Sequence, residues 1–355
     1  MHLCDFNISN LRCISQTSVE LDKGINLIIG ENGSGKTSFL EGIYLLATGK
    51  SFSAVKRRDL IRDGTCRMGV AGVFVSSFGL ESKIKLEKSY SETNYTLQGQ
   101  SVRKTSDVAA KIPILVGNSR AADLLTDSPK ARRDLLDRTA FHVKPSFLSI
   151  WQELRRALAQ RNNVLKSGYS SNQLCYWDKL VSEKSNEMDA YRKEIVDKVN
   201  CFLTKSTLKE ELGDVSFDYY SGWDTNFPLL QHLTSNRESE SRIGYTLYGA
   251  HRADLRIRVA GKSGAKRLSK GQLKSVAFES IIALHEYISE NGPAKPIFLV
   301  DDLSAELDNV KQRCLIGKIL RLSGQKVLSS IQPDIMEFLD NEGHKVFHVK
   351  QGNIT

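Results

Sequence analysis

Eight consecutive residues near the start of the chain, Gly30-Glu31-Asn32-Gly33-Ser34-Gly35-Lys36-Thr37, have the types and spacing of a phosphate-binding loop. Small residues let successive backbone N–H groups turn inward around phosphate oxygens, and a following helix adds the partial positive charge of its N-terminus. Lys36 supplies a point charge for the β- and γ-phosphates of ATP, and the Thr37 hydroxyl is placed to ligate Mg2+. An apolar run from Ile25 to Ile29 precedes the loop and a helical run from Ser38 to Ala47 follows it, the strand–loop–helix context such a loop needs. Far along the chain, Ile297-Phe298-Leu299-Val300 is a second apolar strand, and it ends in two acids, Asp301 and Asp302. In that arrangement Asp301 holds Mg2+, usually through water, while Asp302 orients and deprotonates an attacking water. The chemistry these residues describe is ATP hydrolysis.

About 265 residues separate the loop lysine from the acids, which implies a large insertion between two halves of one sheet. Leu268-Ser269-Lys270-Gly271-Gln272, roughly thirty residues before the acids, opens a helical run and resembles the ABC-class signature, with Lys270 where a Gly is usual. Ser269 and the N–H groups at that helix start suit a γ-phosphate bound by another subunit, and the same residues also suit a plain capping turn. Ser304-Ala305-Glu306-Leu307-Asp308 resembles the D-loop of this class. Ser329 and Ser330 end the following strand, with Ser330 as the candidate sensor of the γ-phosphate, and Arg12 is a candidate contact to base or phosphate.

The elements that must position these residues are legible in outline. LCDFNIS and TSVELD alternate as strands, and residues 68–75, 82–88 and 94–98 predict an antiparallel meander. From Pro145 to Leu208 the period becomes helical, broken at GYSSN, which predicts a helical hairpin and a compact lobe rather than a long coiled coil. A helix over 272–289, the strand PIFLV, a helix near 308–321 and a strand over 326–330 give an αβαβ order that calls for parallel sheet.

Charge divides the chain in the same way. The net charge is +9; residues 141–240 hold 13 basic and 14 acidic side chains, so the surplus lies in the flanking segments and favours a polyanionic partner. Lys56, Arg57 and Arg58, and Lys130, Arg132 and Arg133, are the candidate phosphate contacts. The six cysteines form no CxxC pair and no HExxH occurs, which removes thiol and zinc chemistry as leading ideas. No apolar run approaches the ~18 residues of a membrane helix, and the first ten residues lack signal-peptide features, so the expected location is cytoplasmic and no membrane partner is expected.

Taken together, these elements resemble the ABC-type ATPases of chromosome maintenance and repair, and specifically the RecF family. Asn10-Leu11-Arg12, Leu46 to Phe52, Arg58 to Gly64, Pro129 to Asp137 and Gly249 to Leu255 carry the resemblance over nearly the whole chain. Ala250 and Ala253 depart from the family's Pro and Asp, and Val116 to Ser119 departs from the sequence around its Q-loop, so no Q-loop residue is assigned. The resemblance implies an α/β fold, an ABC-type P-loop ATPase head with a mixed parallel and antiparallel sheet and a second, mainly helical lobe. Residues 1–140 and 290–355 would form the ATPase lobe, and 141–289 the helical lobe with the signature near its C-terminal end. It further implies a slow, DNA-stimulated ATPase that pairs head-to-tail around two ATP molecules and binds gapped or duplex DNA without sequence preference. Such proteins act with RecR and RecO to direct RecA loading at single-strand gaps and stalled forks. An ATP-driven nuclease or defence ATPase with the same head is the alternative, against which no spare carboxylate cluster for a second metal site is visible. A transporter nucleotide-binding subunit is a third reading, disfavoured by the distance between loop and signature.

Overall fold

Apolar alternation in the first twenty residues produces β1 (His2–Leu11) and β2 (Ile14–Glu20), paired antiparallel through Phe6↔Val19 and Ile8↔Thr17. The computed structural model describes residues 1–53, 56–167, 171–264, 266–302, 309–331 and 343–355. The continuous apolar run forms β3 (Ile25–Gly30), and the phosphate-loop residues lead into α1 (Lys36–Thr48). The meander follows as β4 (Arg67–Val75), β5 (Glu81–Ser89), β6 (Thr93–Leu97) and the short β7 (Gln100–Ser101). After α2 (Thr105–Ala109) comes β8 (Ile114–Gly117).

The chain then enters a second unit. It comprises α3 (Asp123–Thr126), α4 (Pro129–Val143), α5 (Phe147–Ser167), α6 (Ser171–Leu203), α7 (Leu208–Leu212), β9 (Val215–Tyr220), α8 (Leu229–Ser235), α9 (Arg237–Ile243), β10 (Asp254–Val259) and β11 (Lys262–Ser263). Helix α10 (Lys270–Asn291) carries the chain back to β12 (Ile297–Val300), α11 (Asn309–Arg321), β13 (Lys326–Ser330), β14 (His344–Lys350) and β15 (Asn353–Ile354). The two units are Met1–Ala121 with His285–Thr355, and Ala122–Leu284. The sequence reading drew the inserted lobe over 141–289; the structural division groups α3 and α4 with the inserted unit.

Within the first unit, one sheet runs β2-β1-β4-β5-β6-β7 and is antiparallel, and the other runs β15-β14-β3-β13-β12-β8. In the second sheet all neighbours from β14 to β8 are parallel, and only β14–β15 is antiparallel. Parallel strands covered on both faces are near-continuous apolar runs, as β12 is and as β3 is apart from the buried Asn26. Helix α1 packs on strands of both sheets. From Lys36 to Ala47 every residue but Thr37 is buried, as a helix enclosed on all sides requires. Phe39, Leu40 and Ile43 of α1 share one apolar cluster with Phe6 and Ile8 of β1 and with Leu299 and Val327 of the parallel sheet.

The second unit contains the expected helical hairpin, α5 against α6, though α6 has 33 residues and so spans about 50 Å. It also holds a three-stranded antiparallel sheet, β11-β10-β9, not foreseen in the sequence. Arg161 of α5 is wholly buried and ion-paired at 2.7 Å to Asp178 of α6 and at 2.7 Å to Glu240 of α9, which fixes three helices in one register.

Candidate nucleotide site

The phosphate loop lies between β3 and α1, in a cleft of about 340 Å³ whose walls include Arg12, Asn32, Gly33, Lys36, Thr37 and the two acids. Gly30 is required by close approach: a Cβ there would lie 2.4 Å from the Val349 carbonyl oxygen. The turn between β14 and β15 also touches the loop. Gly352 donates its N–H to the Ser34 carbonyl at 2.7 Å, and with φ at 80° and Cys13 O 2.4 Å from any Cβ, only glycine fits. Thus the C-terminal hairpin braces the loop from behind, a role that carries no sequence signature beyond a Gln-Gly turn.

Lys36 Nζ donates to the carbonyls of Gly30 at 2.6 Å and Glu31 at 2.9 Å, so the amine holds the loop's own shape. Its burial pushes the ammonium pKa down, opposed by the carboxylates of Asp302 and Asp301. The two distant halves of the chain meet at Thr37, whose hydroxyl donates to Asp301 Oδ2 at 2.8 Å across 264 residues of sequence. Ser329 of β13 donates to Asp301 Oδ1 at 2.7 Å and accepts the Asp302 N–H at 3.1 Å. Asp302 has a left-handed backbone, φ 50°, which costs of order 1 kcal/mol or more in a non-glycine residue and is held by that Ser329 bond. Desolvation raises the Asp301 carboxyl above its ordinary value, against the hydrogen bonds from Ser329 and Thr37. A desolvated carboxylate beside a hydroxyl oxygen is a hard-oxygen donor pair, and it fits Mg2+ that completes its shell with water and phosphate. The hydroxyls on the Asp301 carboxylate are those of Thr37 and Ser329; Ser330, the candidate sensor, ends the same strand opposite Ile29 and is also buried. The D-loop segment 304–308 lies outside the described residues.

Arg12 sits in the β1–β2 turn with φ 51° and reaches into the cleft wall. Its Nε lies 2.6 Å from Glu41 Oε2, and its Nη2 donates to Ser53 Oγ at 2.8 Å. Glu41 is fully buried on α1 and also accepts from the hydroxyls of Ser51 and Ser53. Sequence reasoning missed this residue, although a lone acid inside the apolar run FLEGIYLLA signals that it must have a partner. Glu41→Ala is expected to lower unfolding free energy by about 2 to 4 kcal/mol, because Arg12 and two hydroxyls lose a buried partner while Arg12 keeps partial access to water. Chemical denaturation checks it; a loss under about 0.5 kcal/mol would mean the pair carries no stability.

In the second unit, Ser269 caps α10. Its N–H donates to Gln272 Oε1 at 2.9 Å and its Oγ accepts the Gln272 N–H at 3.2 Å, a reciprocal capping box. The cap uses one acceptor lone pair of the hydroxyl and leaves its O–H donor uncommitted. The two basic clusters differ. Lys56, Arg57 and Arg58 are exposed, whereas Arg132 is bound to Asp254 at 2.8 Å and Arg133 donates to the Ala253 carbonyl at 2.7 Å. Those two arginines are half-buried and committed to partners within the second unit, which makes them weaker candidates for phosphate contact than the exposed Lys56, Arg57 and Arg58.

Residues 2–355 match the family described as RecF/RecN/SMC N terminal domain. The chain is 32% identical over its whole length to the DNA replication and repair protein RecF of Aliivibrio fischeri strain ES114, covering 99% of that protein. It is 34% identical to the same protein of Shewanella sp. strain MR-4, again with full coverage of this chain and 99% of the relative. Among solved structures, the recombination mediator protein RecF bound to ATP superposes with a TM-score of 0.84 at 22% identity, covering 100% of this chain and 97% of that one. An Smc head bound to the C-winged helix domain of ScpA superposes at 0.60 with 16% identity, covering 100% and 96%.

Proposed function

We propose, from the premise that the chain belongs to the RecF family, that it is a DNA-binding ATPase of replication and recombinational repair. The observation that supports this best is the Thr37–Asp301 hydrogen bond, which joins phosphate loop and acidic strand into one cleft with Lys36, Arg12 and Asp302. In this reading Gly30, Glu31, Asn32, Gly33, Ser34 and Gly35 present the loop backbone to the phosphates, and Lys36 balances their charge. Thr37 and Asp301 would hold Mg2+, which when bound would supply further compensation of phosphate charge. Asp302 takes the proton of the attacking water, and its fixed left-handed backbone keeps the carboxylate in place for that task. Ser330 follows the γ-phosphate, and Ser269 contributes its free O–H donor to the phosphate held by a second copy of the chain.

The relatives' names supply the pathway. The RecF and RecFOR designations of the matched proteins support a replication and repair role, and we extend it, on the family resemblance, to work alongside RecR and RecO in directing RecA onto single-strand gaps. The location in this reading is the cytoplasm. Turnover of ATP by the full chain should rise several-fold when short duplex or gapped DNA is added, and scrambling the DNA sequence should change nothing. DNA affinity should fall with salt at a log–log slope of about −0.9 per phosphate contact on duplex. Turnover indifferent to DNA would sink the repair reading in favour of a generic nucleotide-binding subunit, and cleavage of the added DNA would favour the nuclease reading.

A further inference from the structure

The second unit carries its excess charge in one place. Over 122–284 there are 26 Lys and Arg against 20 Asp and Glu, a surplus of six. Six cations and no acid occur between Arg256 and Lys270: Arg256, Arg258, Lys262, Lys266, Arg267 and Lys270. Outside that segment the unit is electrically balanced.

The structure shows why this surplus is available. Nine of the other twenty cations of the unit are ion-paired to carboxylates of the same unit among the described residues, including Arg132 to Asp254, Arg161 to Asp178, Arg192 to Asp137 and Lys184 to Glu187. Lys262, Lys266, Arg267 and Lys270 are exposed and make no ion pair among the described residues. They follow one another through the β10–β11 hairpin and the turn into α10. On the solvent face of β10, Arg256 is 64% exposed, lies over the ring of Tyr220, 5.7 Å from its centroid, and keeps a long ion pair of 3.6 Å from Nε to Asp254. That ring restricts the guanidinium, which stays largely exposed and loses little further freedom on meeting a phosphate. Arg258, on the same face by strand alternation, is held by Asp218 at 2.6 Å and is still 46% exposed.

The geometry points to this hairpin as a docking surface for the phosphate backbone of duplex DNA. The inference rests on the DNA-binding reading above and adds where in the second unit the duplex lies. Unpaired, mutually repelling lysines cost stability in the free protein, and a polyanion converts that cost into binding by releasing its condensed counterions. Only an extended line of negative charge complements a row of cations running through a strand, a hairpin and a turn. The surface differs from both clusters that the sequence reading advanced.

The test compares the full chain with Arg256→Glu/Lys262→Glu/Lys266→Glu and with the milder Lys262→Gln/Lys266→Gln. None of these residues lies in the nucleotide cleft or in the cap at Ser269. Affinity for a short random-sequence duplex is read by anisotropy across a salt series, with ATP affinity, ATP-dependent sedimentation and thermal unfolding measured on the same samples. The charge reversal should weaken DNA binding by on the order of tenfold or more, and the glutamine pair should flatten the log–log salt slope by about 0.9 per lost contact. ATP affinity and sedimentation should stay at parent values. Parental DNA affinity and slope in both variants would overturn the proposal while leaving the DNA-binding reading intact. A parent chain that binds no DNA would overturn that reading itself. Loss of ATP-dependent pairing, with the DNA affinity of the unpaired chain unchanged, would assign the hairpin to contacts between copies and overturn the proposal as well.

Discussion

Lys36→Ala is expected to weaken ATP binding at least a hundredfold and to abolish turnover. Two consequences combine. The γ-phosphate loses its cation in a largely desolvated cleft, which is worth a few kcal/mol and so about a hundredfold or more. The carbonyls of Gly30 and Glu31, now bonded to Nζ at 2.6 and 2.9 Å, also lose their donor, and the loop loses the bonds that shape it. Asp301 and Asp302 are left facing each other and the phosphates with less positive charge nearby, which compounds the loss. Nucleotide titration and phosphate release measure it, with thermal unfolding to confirm the fold. Asp302→Asn supplies the contrast, because the proposed role of that acid is toward water: affinity should hold near the parent value while turnover collapses. Parent-like affinity in Lys36→Ala would mean that the loop does not receive the phosphates.

Much of this site was legible because local patterns dictated it. The loop's glycines, lysine and threonine fall within eight consecutive residues, and β12 and β3, the latter interrupted only by Asn26, are apolar runs of the kind a parallel sheet buries. What the sequence hid depends on partners distant in the chain. Glu41 becomes interpretable only beside Arg12, Ser51 and Ser53, and Gly352 only beside Ser34 and Cys13. Ser329 and Ser330 differ by one residue in a strand whose side chains alternate, so the strand alone could not say which hydroxyl meets Asp301; the parallel register Ser330↔Ile29 and Val300↔Leu328 decides it. The β9–β10 ladder escaped because each strand has only six residues and the two are separated by α8 and α9. Arg132 and Arg133 looked like solvent-exposed cations because Asp254 and the Ala253 carbonyl lie about 120 residues away. Arg256 to Lys270 was the more informative charge run, being free of acids over fifteen positions.

The second large effect concerns Ser269, whose two roles can be separated by choice of substituent. As an N-cap it needs an acceptor, and Asp caps as well as Ser, so Ser269→Asp should leave α10 and overall stability within about 0.5 kcal/mol of the parent. As a donor to a γ-phosphate it needs its O–H, and a carboxylate there offers only repulsion. Ser269→Asp should therefore bind ATP through its own loop yet fail to pair in sedimentation, and its turnover should fall at least tenfold. Ser269→Arg should behave alike, with a further capping loss of about 1 kcal/mol. In the proposed pairing, each composite site needs one intact loop and one intact signature from different chains. Mixing Ser269→Asp with Lys36→Ala should then restore one site per mixed pair, while the other site carries both defects. A titration of one variant into the other should raise turnover from near zero toward a maximum below half the parent's rate, and ADP should promote no pairing because it lacks the group Ser269 grips. If Ser269→Asp pairs and turns over like the parent, the Leu268–Gln272 turn is a helix cap and nothing more; if it fails alone but mixing restores nothing, the two halves of the site do not come from different chains.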